Sequence, residues 1–229
     1  MTNIFDSNTE HYQAEIEKYT GIVGKNHDFF VQDKIRLLRD SFSEIGNLET
    51  LKVLDIGCGI GLGHSQISEM VNELHGVDIS AESLKLAKER NPNVIYDTYD
   101  GNVLPFQNNT FDCVYAICVM HHVPKLQWNK FVQEMLRVVR VGGKILIIEH
   151  NPLNPATLYI VKNIELDRDA NLLTAWKSKK IFRNAGADRT KVRYTLFMPF
   201  DHAFFRKIDR LFSWIPFGAQ YIASARKLE

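Results

Sequence analysis

The stretch Val53-Leu54-Asp55-Ile56-Gly57-Cys58-Gly59-Ile60-Gly61-Leu62-Gly63 decides the fold. Val53 and Leu54 supply the buried end of a parallel strand, and the apolar run breaks into alternate glycines just after Asp55. Gly57, Gly59 and Gly61 let the turn take up positive φ and bring bare backbone against a ligand. The spacing excludes one ligand class. A dinucleotide fingerprint reads Gly-x-Gly-x-x-Gly, but counted from Gly57 the last place holds Leu62, and counted from Gly59 it holds His64. Asp55 would also repel a pyrophosphate at close range, whereas a positively charged ligand suits it.

Outward from this loop, strand and helix patterns alternate. Strands are expected at Leu51 to Asp55, Glu73 to Asp78, Val94 to Tyr99, Phe111 to Ile117 and Lys144 to Glu149. Helices are expected from about His64, at Ala81 to Arg90 and at Trp128 to Arg137. Such alternation implies a doubly wound parallel sheet with right-handed crossovers, and ligands in such sheets bind outside the carboxyl ends of the strands. Asp55, Asp78, Asp100, Cys118 and Glu149 all fall at those ends, which points to a single site. Before the first strand, Glu10 to Tyr19 and Asp28 to Ser43 read as helices forming a lid over residues 1–45. After Glu149, His150-Asn151-Pro152-Leu153-Asn154-Pro155 leaves the sheet through an extended turn. A helical excursion from Ala156 to about Ala185 follows and ends at Gly186. Lys191 to Phe197 and Ala219 to Lys227 then read as a closing antiparallel pair.

The motif hydrophobic-hydrophobic-Asp-x-Gly-x-Gly-x-Gly resembles the first motif of class I S-adenosylmethionine (SAM) dependent methyltransferases. Four further features match that family in order. Asp78 lies 17 residues beyond Gly61, Asp100 precedes Leu104-Pro105-Phe106, and Phe111 to Val123 reads as a buried strand opening into a loop. Phe131 to His150 then gives an amphipathic helix, a Val-Gly-Gly turn and an apolar strand. The resemblance covers roughly residues 50–150 and implies a Rossmann-like, mostly parallel seven-stranded sheet with an antiparallel closing strand and an N-terminal helical lid. It also implies SAM as cofactor and S-adenosylhomocysteine as product. Carried over residue by residue, the cofactor site would comprise Asp55, Gly57, Cys58, Gly59, Gly61, Asp78, Ile79, Asp100, Gly101, Asn102, Ile117 and Cys118. Asp78 would take the ribose hydroxyls, Ile79 would pack on the adenine and Asp100 would lie beside its amino group. Asp55 and Asp78 each also suit an ordinary helix N-cap.

Composition bounds the rest. The 229 residues, 45% of them apolar, are enough for one good core, and the whole chain reads as a single domain: a lid (1–45), a SAM-binding core (46–150) and an acceptor-side segment with the closing strands (151–229). No run of about 18 uncharged apolar residues occurs, and the first residues are polar with no apolar signal segment. Three cysteines, Cys58, Cys113 and Cys118, make a disulfide framework unfit and point to the cytoplasm. No CxxC or HxxxH spacing supports a metal, so none is expected. The net charge of +1 is unevenly spread: residues 171–229 carry 12 Lys or Arg against 4 acids, while the preceding residues hold the balance of −7.

Methyl transfer from a sulfonium is an in-line displacement, and orientation alone can supply on the order of 7 to 11 kcal/mol. A base helps only where the acceptor must lose a proton. His150, directly after the fifth strand, is the first candidate, with Glu149 orienting it or binding the acceptor; His121 is another. Against these roles, His150 could cap its turn through backbone bonds, and His121 and His122 could shape the pocket floor. Nucleic-acid amine methyltransferases carry Asn/Asp-Pro-Pro-aromatic after strand four; this chain has Ile117-Cys118-Val119-Met120, which argues against DNA, and no RNA-binding module accompanies the basic tail. A small-molecule or lipid-linked acceptor is therefore expected, methylated at oxygen, with nitrogen and carbon left open. The pattern is similar to the quinone-biosynthesis and type 11/12 methyltransferases. Phe197, Phe200, Phe204, Phe205, Phe212, Trp214 and Phe217, with Arg206, Lys207 and Arg210 among them, suggest a peripheral membrane contact. A catalytically idle SAM-binding partner subunit is the alternative reading.

Overall fold

Val53 and Leu54 are neighbours in sequence and point to opposite sides of one sheet, and that period-two alternation organises the core. The computed structural model describes residues 27–165, 167–197, 207 and 209–228. Within them lie β1 (Lys52–Ile56), β2 (Glu73–Asp78), β3 (Ile95–Thr98), β4 (Phe111–Ile117), β5 (Val139–His150), β6 (Asp188–Thr195) and β7 (Gln220–Arg226). The helices are α1 (His27–Ser43), α2 (His64–Ser68), α3 (Ala81–Arg90), α4 (Trp128–Val138), α5 (Pro155–Asn163) and α6 (Ala175–Asn184). The strands form one sheet in the order β3-β2-β1-β4-β5-β7-β6. All pairs from β3 to β5 are parallel, and β7 runs antiparallel to both of its neighbours.

On one face, Val53, Cys113, Tyr115, Leu146, Ile148 and Ile222 pack with Leu38 and Phe42 of α1 and Ile67 of α2. On the other, Leu54, Val114, Ala116, Ile145, Ile147 and Ala223 pack with Trp128, Val132 and Met135 of α4 and Phe182 of α6. Burying side chains of this size contributes about 1.5–3 kcal/mol each. Helix α1 is thus a layer of the core, further tied down by Lys144 Nζ, which donates to Ser41 O at 3.3 Å and pairs with Glu44 at 2.9 Å. The helix expected at Glu10 to Tyr19, with Tyr12 and Tyr19, lies outside the described residues, as does the side chain of His27.

Three boundaries differ from expectation. Strand β5 begins at Val139 because Gly142, at φ +76°, carries the chain through the Val-Gly-Gly segment without leaving the sheet. The excursion after Glu149 is two helices, since α5 stops at Asn163 and α6 starts afresh with Thr174 as its cap. Strand β6 starts earlier than Lys191 and ends at Thr195, because Leu196 takes φ +59°. Gly186, at φ +92°, follows the end of α6 as a C-terminal glycine should.

Candidate active site

The glycine loop is held by backbone and shaped by what surrounds it. Gly57, Gly59, Gly61 and Gly63 all have positive φ, between 52° and 81°. The Gly57 and Cys58 amides both donate to Val77 O, at 2.7 and 3.1 Å, which ties the loop to β2. A Cβ on Gly57 would lie 2.5 Å from Val119 Cγ2 and one on Gly61 2.6 Å from the Tyr96 hydroxyl, whereas one on Gly59 would meet nothing within 4 Å. Gly59 is therefore the loop position where something else can approach the backbone.

Asp78, at the end of β2, faces that position. Its Oδ2 accepts the Gly59 amide at 2.8 Å and its Oδ1 the Ser80 amide at 2.9 Å. The cap of α3 is Ser80, whose Oγ accepts Ser83 N at 3.0 Å, so Asp78 is no N-cap. Ile79, 44% exposed, sits beside Gly101, where a Cβ would lie 3.5 Å from Ile79 Cγ2. Gly101 and Asn102 line a crevice together with Tyr99, Val123, Gln127 and Lys130.

Asp55 is not an N-cap either; Gly63 occupies that place on α2. One carboxylate oxygen pairs with His64 Nε2 at 2.9 Å, and His64 Nδ1 meets the Tyr96 hydroxyl at 2.8 Å while the two rings stack. The other oxygen is buried and has no well-aligned hydrogen bond, with the equally buried Tyr115 hydroxyl as its polar neighbour. Burial pushes the Asp55 pKa up, and His64 only partly offsets it. The loop is a region of negative potential: burial, then Asp55 and Asp78, raise the Cys58 thiol, and burial, then Asp78 and Asp100, raise the Tyr99 hydroxyl. A buried carboxylate oxygen with no well-aligned hydrogen bond, an open glycine and a field that favours positive charge fit the ammonium and sulfonium of SAM.

Asp100 is exposed, and its Oδ1 accepts the amides of Val103 and Asn102 at 2.9 and 2.8 Å, which lowers its pKa. This oxygen folds its own turn, an Asx arrangement, beside the surface made by Ile79, Gly101 and Asn102.

At the ends of β4 and β5 a second polar group assembles. Ile117 closes β4, and Cys118 follows at φ +55° with its amide donating to Ile148 O at 2.8 Å. Glu149 orients His121 and not His150. His121 Nδ1 donates to Glu149 Oε2 at 2.6 Å, and Met120 N donates to Oε1 at 2.8 Å. Both oxygens are thus engaged in a residue 1% exposed, which removes Glu149 as an acceptor-binding group. On the other side of the ring, His121 Nε2 stands 3.6 Å from Asp167 Oδ1, and His122 Nε2 3.2 Å from the same oxygen. Burial alone would lower the His121 pKa, but Glu149 and Asp167 raise it well above the ordinary value. A ring held as a cation is no proton acceptor, so His121 is not a free base. His150 lies 5.5 Å from it, centroid to centroid, and is partly buried; burial would lower its pKa, but Cys118, to which it hydrogen-bonds, raises it.

Sequence reading missed His64, Tyr96 and Asp167. His64 carried a signal, a histidine in the first turn of the helix leaving an acidic loop. Asp167, between two helices, carried none.

The two loops beyond this edge are joined. Asn151 Nδ2 donates to Pro216 O and Gly218 O at 3.0 and 2.8 Å, and Asn154 Nδ2 to Phe217 O at 2.7 Å. Trp214 and Phe217 are 76% and 63% exposed, with Leu211, Phe212 and Leu153 also exposed. Lys207 is exposed and Arg210 pairs with Asp40 at 3.2 Å, while Phe197 is partly buried. Phe200, Phe204, Phe205 and Arg206 lie outside the described residues.

Residues 54–147 match the family described as "Methyltransferase domain". They form a class I SAM-dependent methyltransferase domain. Among known proteins, phosphoethanolamine N-methyltransferase of Plasmodium falciparum is 28% identical over 64% of this chain and 56% of its own length. The 2-methyl-6-phytyl-1,4-hydroquinone methyltransferase of Synechocystis is 33% identical over 53% of this chain and 40% of its own length. The chain thus spans about half or less of these curated relatives. A solved structure from Thermotoga maritima, a SAM-dependent methyltransferase and possible histamine N-methyltransferase, shares the fold with a TM-score of 0.68 at 16% identity, covering 95% of this chain and all of that one. The methyltransferase domain holds the glycine loop, β2, β4 and most of β5; His150 and Asp167 lie beyond its matched residues.

Proposed function

We propose that the chain transfers the methyl group of SAM to the oxygen of a small-molecule acceptor bearing an apolar chain, in the cytoplasm and at a membrane surface. The observation that carries this reading is the adjacency of two unlike polar groups on one sheet edge. The negative glycine-loop site of Asp55 and Asp78 ends β1 and β2, and the histidine-carboxylate group of His121, His150 and Asp167 borders β4 and β5. SAM supplies an electrophilic methyl on a sulfonium. The protein's part is to orient the acceptor lone pair on the methyl axis and exclude water. Asp55 would hold the ammonium, and Asp78 the ribose hydroxyls in exchange for the Gly59 amide it now accepts. An acceptor hydroxyl must lose a proton, and the groups suited to handling one stand at the acceptor side.

The apolar chain is inferred from the surface around the site. Trp214, Phe217, Phe212 and Leu153 stand exposed on joined loops just past His150, where an acceptor's tail or a membrane would cover them. The Synechocystis relative, whose name specifies a phytyl-bearing hydroquinone, supports this. Purified protein incubated with SAM and a panel of hydroquinone, lipid-linked sugar and amine acceptors should yield one methylated product by mass spectrometry. Tight SAM binding with no turnover on any acceptor would instead favour an idle SAM-binding partner subunit.

A further inference from the structure

The histidine-carboxylate group at the end of β5 has the geometry of a metal centre. One atom each from His121, His150 and Asp167 lies within 4.8 Å of the others. Two of the three donors, on residues 1% and 2% exposed, have no well-aligned hydrogen bond: His121 Nε2 faces Asp167 Oδ1 at 3.6 Å, and the same oxygen has His122 Nε2 at 3.2 Å on its other side. Buried polar atoms without a good hydrogen bond are costly, and two facing each other at 3.6 Å are what a ligand between them would satisfy. The reason Nε2 points there is Glu149. By accepting Nδ1–H at 2.6 Å it fixes the ring and directs the second nitrogen at Asp167, the carboxylate-histidine-metal arrangement of known metal sites.

We propose that His121 Nε2, a ring nitrogen of His150 and Asp167 Oδ1 bind a zinc ion. Two imidazoles and one carboxylate with a fourth position open is the donor set of catalytic zinc. His150 is the partly exposed member and lies against the Cys118 thiol. The two buried carboxylates that surround His121 call for a cation at this place, and zinc would take the proton's part there. For the reaction proposed above, and resting on that reading, a Lewis acid here would polarise an acceptor hydroxyl. On this proposal His150 is a ligand rather than a base, against the expectation of no metal.

The test uses the full chain stripped with chelator, with zinc itself as the probe in calorimetry and Co2+ as a visible-absorption reporter. One zinc per chain is expected, with cobalt bands typical of low coordination. His150→Gln and Asp167→Asn should each weaken zinc binding by at least ~10-fold, and Glu149→Gln by ~10–100-fold, with circular dichroism unchanged for the partly exposed His150→Gln variant. SAM affinity of His150→Gln should match that of the parent. Absence of zinc binding to the folded chain, or binding that none of these variants weakens, as capture by the cysteines would give, overturns the proposal. Because zinc binding is read without SAM or acceptor, its failure is distinct from failure of the methyl-transfer reading.

Discussion

Asp78 Oδ2 accepts the Gly59 amide at 2.8 Å, joining the end of β2 to the loop glycine that has open space beside it. The carboxylate thereby holds the loop in shape and presents acceptor oxygens at the mouth of the site. Asp78→Ala should weaken SAM by about 1.5–3 kcal/mol, the usual worth of hydrogen bonds to a charged group. Titration calorimetry gives the answer, and an unchanged affinity would mean that the ribose is held elsewhere.

The loop glycines separate steric from ligand roles. Gly57→Ala combines left-handed backbone with a clash of 2.5 Å against Val119, so a stability loss of about 2–5 kcal/mol is expected. Gly59→Ala meets nothing within 4 Å and should cost about 1–2 kcal/mol from backbone alone, yet it places a methyl where the ligand approaches. Urea unfolding and SAM titration should therefore rank the two variants in opposite orders.

How far the sequence alone reaches is clear from particular residues. The sheet was legible because β1, β4 and β5 alternate or run apolar with glycines at their ends, and helix α4 shows its buried face at helical spacing. The roles of Asp55 and Glu149 were legible only in part, since each is decided by a histidine that tertiary packing brings in: His64 from the next helix, and His121 from a loop 28 residues away. Asp167 comes from a turn between helices that no periodicity marks, and only the fold carries it to β5. Strand β5 starts earlier than expected because Val139 already pairs with Phe111; the glycine pair then makes a bulge, with Gly142 at φ +76°, before pairing with β4 resumes and pairing with β7 begins at Lys144.

SAM binding should depend on pH through Asp55. Burial raises its pKa in the free protein, so over the range above the ordinary carboxylate value it binds a proton that the unfolded chain releases. Free-protein stability from this group is greatest at low pH and declines as pH rises toward the folded pKa. Cation binding has the opposite sign, because only the ionised form attracts the ammonium. SAM affinity should fall on acidification through the raised pKa, and Asp55→Asn should flatten that dependence. A wild-type affinity that is level across this range would show that Asp55 does not face the charge.

His150 separates chemistry from cofactor binding. It closes β5, paired in register with Gln220 of β7. His150→Ala should lower turnover, once an acceptor is found, by about 10–100-fold through loss of the bound ion, while SAM affinity changes little. Equal losses in both would place His150 in the cofactor site instead.

The exposed aromatic loop gives the last test. Trp214 and Phe217 are more exposed than a structural role demands, and the hydrogen bonds from Asn151 and Asn154 to the carbonyls of residues 216–218 hold the loop in place without using either ring. Replacing both by Ala should therefore leave stability within about 0.5 kcal/mol, as for surface changes generally. If the loop meets a membrane or an acceptor tail, the double variant should lose flotation with anionic vesicles and lose turnover on lipid-tailed acceptors, while a tail-less analogue reacts as before. Binding to vesicles carries an electrostatic share from the basic segment, so salt should weaken it even in the parent protein. A parent protein that ignores vesicles, together with a double variant that keeps full turnover on tailed acceptors, would show that the loop serves neither surface.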